Sequence, residues 1–145
     1  MVMRLAIAAL FCSAVTISCA ADRCTKGTEF EPPLCPLVLP EIVEITILEN
    51  AMKSAAETDP AISCADFLLT GPAIRRFLAL AKLTNANDAH HTLDWSPCYA
   101  TGELRLSDGR AAKWRFDQYR SGTIAIGKDP EMVVYCPKCR FKPFQ

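Results

Sequence analysis

The sharpest reactive spacing in the sequence is Tyr135-Cys136-Pro137-Lys138-Cys139, a C-x-x-C pair. Two thiols so placed suit thiol–disulfide exchange when a helix N-terminus lowers the pKa of the attacking sulfur. Six residues follow Cys139 and Pro143 is among them, so no helix is expected there to supply that field. The pair also resembles one knuckle of a zinc ribbon, whose metal needs four ligands. Cys64, Cys98, His90 and His91 are the remaining candidates, but there is no second C-x-x-C.

A second cluster, Asp88, His90, His91 and Asp94, precedes Trp95-Ser96-Pro97-Cys98. Histidine beside a carboxylate suits acid–base work. Neighbours on an extended strand point to opposite sides, so His90 and His91 would not share one site. Capping or packing is the expected role. Spacings that mark a nucleophile elbow, a zinc protease helix or a phosphate loop do not occur in the sequence. No catalytic residue, metal ligand set or cofactor is therefore assigned.

A third group is basic. Arg105, Lys113 and Arg115 fall on the outer face of a predicted sheet and form a candidate binding surface. Glu103 and Asp117 are interleaved with them, and Glu103 is expected to neutralise Lys113 across the strands.

These groups sit in a chain of 145 residues with 16 acidic and 16 basic side chains, which fits one domain. Half the residues are apolar and 22% are charged, a balance that excludes a disordered chain. Zero formal charge offers no bulk attraction to nucleic acid. The neutrality hides an asymmetry. Residues 21–66 hold three basic and nine acidic side chains, whereas residues 67–145 hold twelve basic and seven acidic.

Residues 1–20 read as a secretory signal, with Arg4 in a positive n-region, an apolar run over 5–17, and Ser18-Cys19-Ala20 at the cleavage site. That run is short for a bilayer span, which takes about 20 apolar residues. A lipoprotein signal ending at Cys19 is the rival, ranked lower because Thr16 stands where such signals prefer leucine. Cleavage would remove Cys12 and Cys19 and leave no membrane span. Cys24, Cys35, Cys64, Cys98, Cys136 and Cys139 would remain, an even set that predicts three disulfides outside the cytoplasm. Cys24–Cys35 closes a local loop. For the other four, Cys98–Cys139 with Cys64–Cys136 competes with Cys64–Cys98 and a local Cys136–Cys139 bridge.

Several elements must position these residues. Residues 21–40 form a proline-rich arm, and residues 41–145 a single domain. Ile45, Leu48, Met52 and Ala55, at steps of three and four, predict a helix within 41–58, although Val43, Ile45, Thr46 and Ile47 favour a strand at its start. Thr70 caps a helix over 71–84 with Pro72 in its first turn, burying Ile74, Phe77, Leu78 and Ala81; Asn85 to Asp88 ends it.

Four strands complete the predicted fold. A three-residue Ser107-Asp108-Gly109 loop with left-handed Gly109 sets Leu104 opposite Ala112 and Glu103 opposite Lys113, which keeps the faces sorted. The same reasoning predicts an Arg120-Ser121-Gly122 loop with left-handed Gly122 and Phe116 opposite Ile126. Trp114 falls in the core, and the fourth strand runs from Met132 to Cys136. The expected class is α+β, a four-stranded antiparallel meander packed on one or two helices and stapled by disulfides.

The motifs Leu93-Asp94-Trp95-Ser96-Pro97-Cys98, Gly102-Glu103-Leu104-Arg105, Asp108-Gly109-Arg110, Trp114 and Tyr135-Cys136-x-x-Cys139 carry a resemblance. Over roughly residues 62–139 they resemble a group of small exported bacterial proteins of uncharacterised function. The resemblance implies a periplasmic setting and transfers no active site. Together these readings predict a non-enzymatic binding module with a protein partner, most concretely a toxin inhibitor or immunity protein. A thiol or metal-dependent factor centred on Cys136 and Cys139 is the first alternative, and a structural envelope component the second.

Overall fold

A computed structural model describes residues 23–145. The signal-peptide reading of residues 1–20 lies outside them. The chain order is β1 (Cys35–Pro36), β2 (Ile42–Lys53), α1 (Gly71–Leu80), β3 (Lys82–Thr84), α2 (Ala86–Thr92), β4 (Cys98–Leu106), β5 (Ala111–Asp117), β6 (Ser121–Ile126) and β7 (Met132–Tyr135). All seven strands join one antiparallel sheet in the order β1-β3-β7-β6-β5-β4-β2.

The four-stranded meander is thereby overturned: β2 extends the sheet at one edge, and β3 and β1 extend it at the other. The largest departure is β2, where the apolar spacing predicts a helix. Its β-branched run pairs with β4, putting Ile42, Ile45 and Ile47 opposite Leu106, Leu104 and Gly102. Register shifts at Val43, at Leu48 and before Met52 insert extra residues into the strand. The bulges at Val43 and Leu48 each lengthen the interval between inward positions from two residues to three, so the supposed helical stripe mixes inward and outward positions. Leu48, a member of the supposed helical stripe, is instead 62% exposed.

The predicted 71–84 helix is shorter than expected. Thr70 caps it as read, its hydroxyl accepting from the Ala73 N–H at 3.3 Å, and Ile74, Phe77, Leu78 and Ala81 are buried. Helical geometry ends at Leu80, after which Ala81 turns extended and Lys82–Thr84 pair with β7. The residues expected to end this helix start another. Asn85 accepts from the Asp88 N–H at 2.8 Å and caps α2.

The first hairpin has the predicted register. Gly109 takes φ 85°, Leu104 faces Ala112, and Glu103 faces Lys113. The second hairpin differs. Arg120 holds the left-handed conformation at φ 68°, Ser121 already belongs to β6, and Phe116 faces Gly122. A Cβ at Gly122 would lie 2.6 Å from the Phe116 ring and 2.3 Å from the Arg115 carbonyl, so glycine here serves close packing and not the turn. The register moves by four residues, an even number, so Ile124 and Ile126 still face inward.

The inner face packs on α1, the 61–70 segment and the C-terminal tail. Its centre is a run of aromatic rings: Phe67 on Phe144 at 5.7 Å, Phe144 on Phe77 at 4.8 Å, Phe77 on Phe116 at 4.4 Å, and Phe116 on Trp114 at 4.9 Å. Such pairs add about 0.5–1.5 kcal/mol each beyond their buried area. Gly102 makes room for the indole, since a Cβ there would sit 2.5 Å from it.

The cysteines pair as Cys24–Cys35, Cys64–Cys98 and Cys136–Cys139. The competing Cys98–Cys139 arrangement is excluded. Among the described residues, no helix is long and apolar enough to cross a membrane.

Candidate functional site

The outer face of the sheet carries Tyr99, Thr101, Glu103 and Arg105 of β4, Lys113, Arg115 and Asp117 of β5, and Thr123 and Ala125 of β6, as the pleat and register require. One end of this face lies beneath α2 and the loop 93–97. The loop is held from below. Ser96, Pro97 and Cys98 are buried, the Ser96 hydroxyl donates to the Cys98 carbonyl at 3.0 Å, and the Pro97 carbonyl accepts from the Ser54 N–H at 2.8 Å. The Cys64–Cys98 bond fixes the same point. Trp95, next to this anchor, projects into solvent at 56% exposure.

Three hollows of about 350, 320 and 410 Å³ adjoin one another across the face. Leu93 and Asp94 line both the first and the second; Arg115 and Thr123 line both the second and the third. They make one open groove. It runs from Tyr119, Arg120 and Tyr135, past His90 and Trp95, to Leu48 and Lys113.

Arg115 sits at the middle of this groove. Its guanidinium carbon lies 3.7 Å from the centre of the Tyr99 ring, and its Nε donates to Asp117 Oδ1 at 3.1 Å. Burial pushes the Asp117 carboxyl above its ordinary value of 3.8, and the neighbouring Arg115 charge and hydrogen bond only partly oppose this. Asp117 is therefore the more desolvated member of a hydrogen-bonded pair, with Arg115 still partly open to solvent.

The three basic residues read from sequence part company. Arg105 is paired with Glu44 of β2, Nη2 to Oε2 at 2.9 Å with Nε at 3.0 Å from the same oxygen. It lies beside the groove and is not placed in its lining. Arg115 and Lys113 share the third hollow with Glu103. Lys113 faces Glu103 in register, yet among the described residues it makes no ion pair. The expected cross-strand ion pair is thus not formed, although Glu103 and Glu131 share the hollow with Lys113.

The histidines stand on α2, not on a strand. His90 lines the groove with Arg115 and Asp117; His91 is exposed beside it, ring centres 5.4 Å apart. Both lie in the last turn, where a positive charge would favour the helix dipole. Among the described residues, no group of three histidine, cysteine or acidic side chains could hold a metal ion. Cys136 and Cys139 are bonded to each other and fully buried.

Trp95 and Leu48 line the site, and Tyr99 supports it from outside the lining through Arg115; none of the three was predicted from sequence. A signal existed for Tyr99. The Leu104–Ala112 register already fixes Tyr99 opposite Asp117 and Thr101 opposite Arg115, which sets the ring diagonal to the guanidinium. Leu48 had none, because its exposure depends on a bulge.

No protein-family model matches the chain, and neither a curated protein nor a solved structure matches it.

Proposed function

We propose that this chain is an exported binding module that seats a protein partner in the groove of its outer sheet face. The observation that carries this reading is Trp95, exposed on a buried and disulfide-fixed anchor, beside the stacked Arg115–Tyr99 pair. Tryptophan, tyrosine and arginine are the side chains that most often dominate protein interfaces, and ordering them beforehand lowers the entropy cost of association. The groove is shallow and open along its length, which suits an extended contact better than an enclosed small ligand.

A partner that fits this chemistry offers an apolar recess for Trp95 and an acidic group for Lys113. Export rests on the signal-like residues 1–20 and on three disulfides, which persist in an oxidising compartment such as the bacterial periplasm. Inhibition of, or immunity to, a secreted toxin is the most concrete form of this function.

The test is comparative capture from envelope extract with immobilised wild-type protein and with Trp95→Ala and Lys113→Glu variants of equal stability. A protein retained by the wild type and lost by both variants supports the reading. Retention by all three baits alike, or by none, overturns it.

A further inference from the structure

Two of the three disulfides frame a second, separate hollow. The Cys24–Cys35 bond closes the N-terminal arm, and the Cys136–Cys139 bond closes the tight turn Pro137–Lys138. Between them lies a hollow of about 420 Å³ lined by Arg23, Thr25, Glu31, Lys82, Pro137 and Lys138, among others. None of its lining residues belongs to the outer-face groove, so a role for this hollow is independent of the protein-partner reading.

Three elements bring the charges together. Lys82 comes from β3, whose pairing with Pro36 on one side and Tyr135 on the other fixes its position. Lys138 comes from the C-x-x-C turn, closed by the Cys139 N–H donating to the Cys136 carbonyl at 3.1 Å and braced by Arg120 Nη1 donating to the Pro137 carbonyl at 3.0 Å. Arg23 comes from the arm, where the Thr25 N–H donates to the Leu34 carbonyl at 2.8 Å and the Leu34 N–H to the Thr25 hydroxyl at 3.0 Å. Among the described residues, none of the three cations makes an ion pair, even with Glu31.

Three like charges on exposed residues lining one hollow give it a positive potential that favours an anion. With Glu31 counted, the lining carries a net charge of two positive units, which a single dianion cancels. A phosphate monoester carries about −1.5 to −2 near neutral pH and three acceptor oxygens, matching both the charge and the number of cations. We propose that this disulfide-framed hollow binds a phosphate monoester, with Lys82, Lys138 and Arg23 donating to its terminal oxygens. The C-x-x-C bond then has a role that fits its burial: it locks the turn that carries Lys138.

The experiment is an amide NMR titration of the oxidised, 15N-labelled protein with methyl phosphate, a dianion, and with dimethyl phosphate, a monoanion. The expected result is saturable shifts at Arg23, Lys82 and Lys138 with methyl phosphate, tighter than with dimethyl phosphate. The Lys82→Gln, Lys138→Gln double variant, with both substitutions at exposed sites, is expected to bind at least about tenfold more weakly. Phosphatidylcholine vesicles containing phosphatidic acid distinguish the source. Vesicle binding that the double variant loses assigns the monoester to a lipid headgroup; binding of methyl phosphate alone assigns it to a soluble compound. Equal affinity of wild type and double variant for methyl phosphate, or shifts confined to other residues, overturns the proposal.

Discussion

The guanidinium of Arg115 lies over Tyr99, 3.7 Å from ring centre to Cζ, on a strand diagonal that the first hairpin's register dictates. This stack sets the Arg115 guanidinium, which lines the groove, against a tyrosine ring outside the lining. A double-mutant cycle over Arg115→Ala and Tyr99→Ala should give a coupling of about 0.5–1 kcal/mol, the range for cation–π contacts at exposed sites. Denaturant midpoints of the four proteins measure it. Strict additivity would show that the stack is incidental.

Asp117 gives the face a pH dependence. Burial raises its folded-state pKa above 3.8, so the folded protein binds this proton more tightly than the unfolded chain does. From this group alone, stability falls as pH rises from the ordinary value through the raised one, and is fully retained below both. Asp117→Asn removes the ionisation. The variant should therefore gain on the wild type as pH climbs from about 3 to about 7, as chemical denaturation at a series of pH values would record.

Gly102 reports on core packing. A Cβ there would meet the Thr46 carbonyl at 2.0 Å and the Trp114 ring at 2.5 Å, in the middle of the sheet. Gly102→Ala should cost about 1–3 kcal/mol or more by overpacking. Gly71→Ala, at the open start of α1 where nothing lies within 4 Å, should leave the thermal midpoint almost unchanged.

The disulfides should differ in what they contribute. Cys64–Cys98 spans 34 residues and Cys136–Cys139 spans three. Loop-closure entropy predicts losses of about 4 and about 2 kcal/mol when each pair is replaced by alanine and valine. Urea denaturation compares them. A larger loss at the short loop would contradict that ordering.

Local chemistry made some of this fold legible in the sequence. The Thr70 cap, the apolar stripe on α1 and the Gly109 loop depend on residues a few positions apart, and the structure contains all three. What escaped depends on partners far along the chain. The apolar spacing of Ile45, Leu48 and Met52 mixes both faces of β2, because bulges at Val43 and Leu48 reset its alternation, and a bulge is visible only against β4. β3 separates from α1 because β7, distant in sequence, offers it backbone partners. Gly122 resembles a turn residue because its clash with the Phe116 ring requires the tertiary register. Of the site, Lys113 and Arg115 were legible from strand alternation, whereas the exposure of Trp95 depends on the buried Ser96–Cys98 anchor.

A protein seated in the outer groove, as proposed, would lie against Trp95 and leave the exposed side of α1 untouched. A photo-crosslinking side chain placed at Trp95, in cells that produce the protein, reports that contact, with one at exposed Ala79 on α1 as the control. One discrete crosslinked protein is expected from position 95 and none from position 79. Identical products from both positions, or none from position 95, would show that the groove is not where a protein binds.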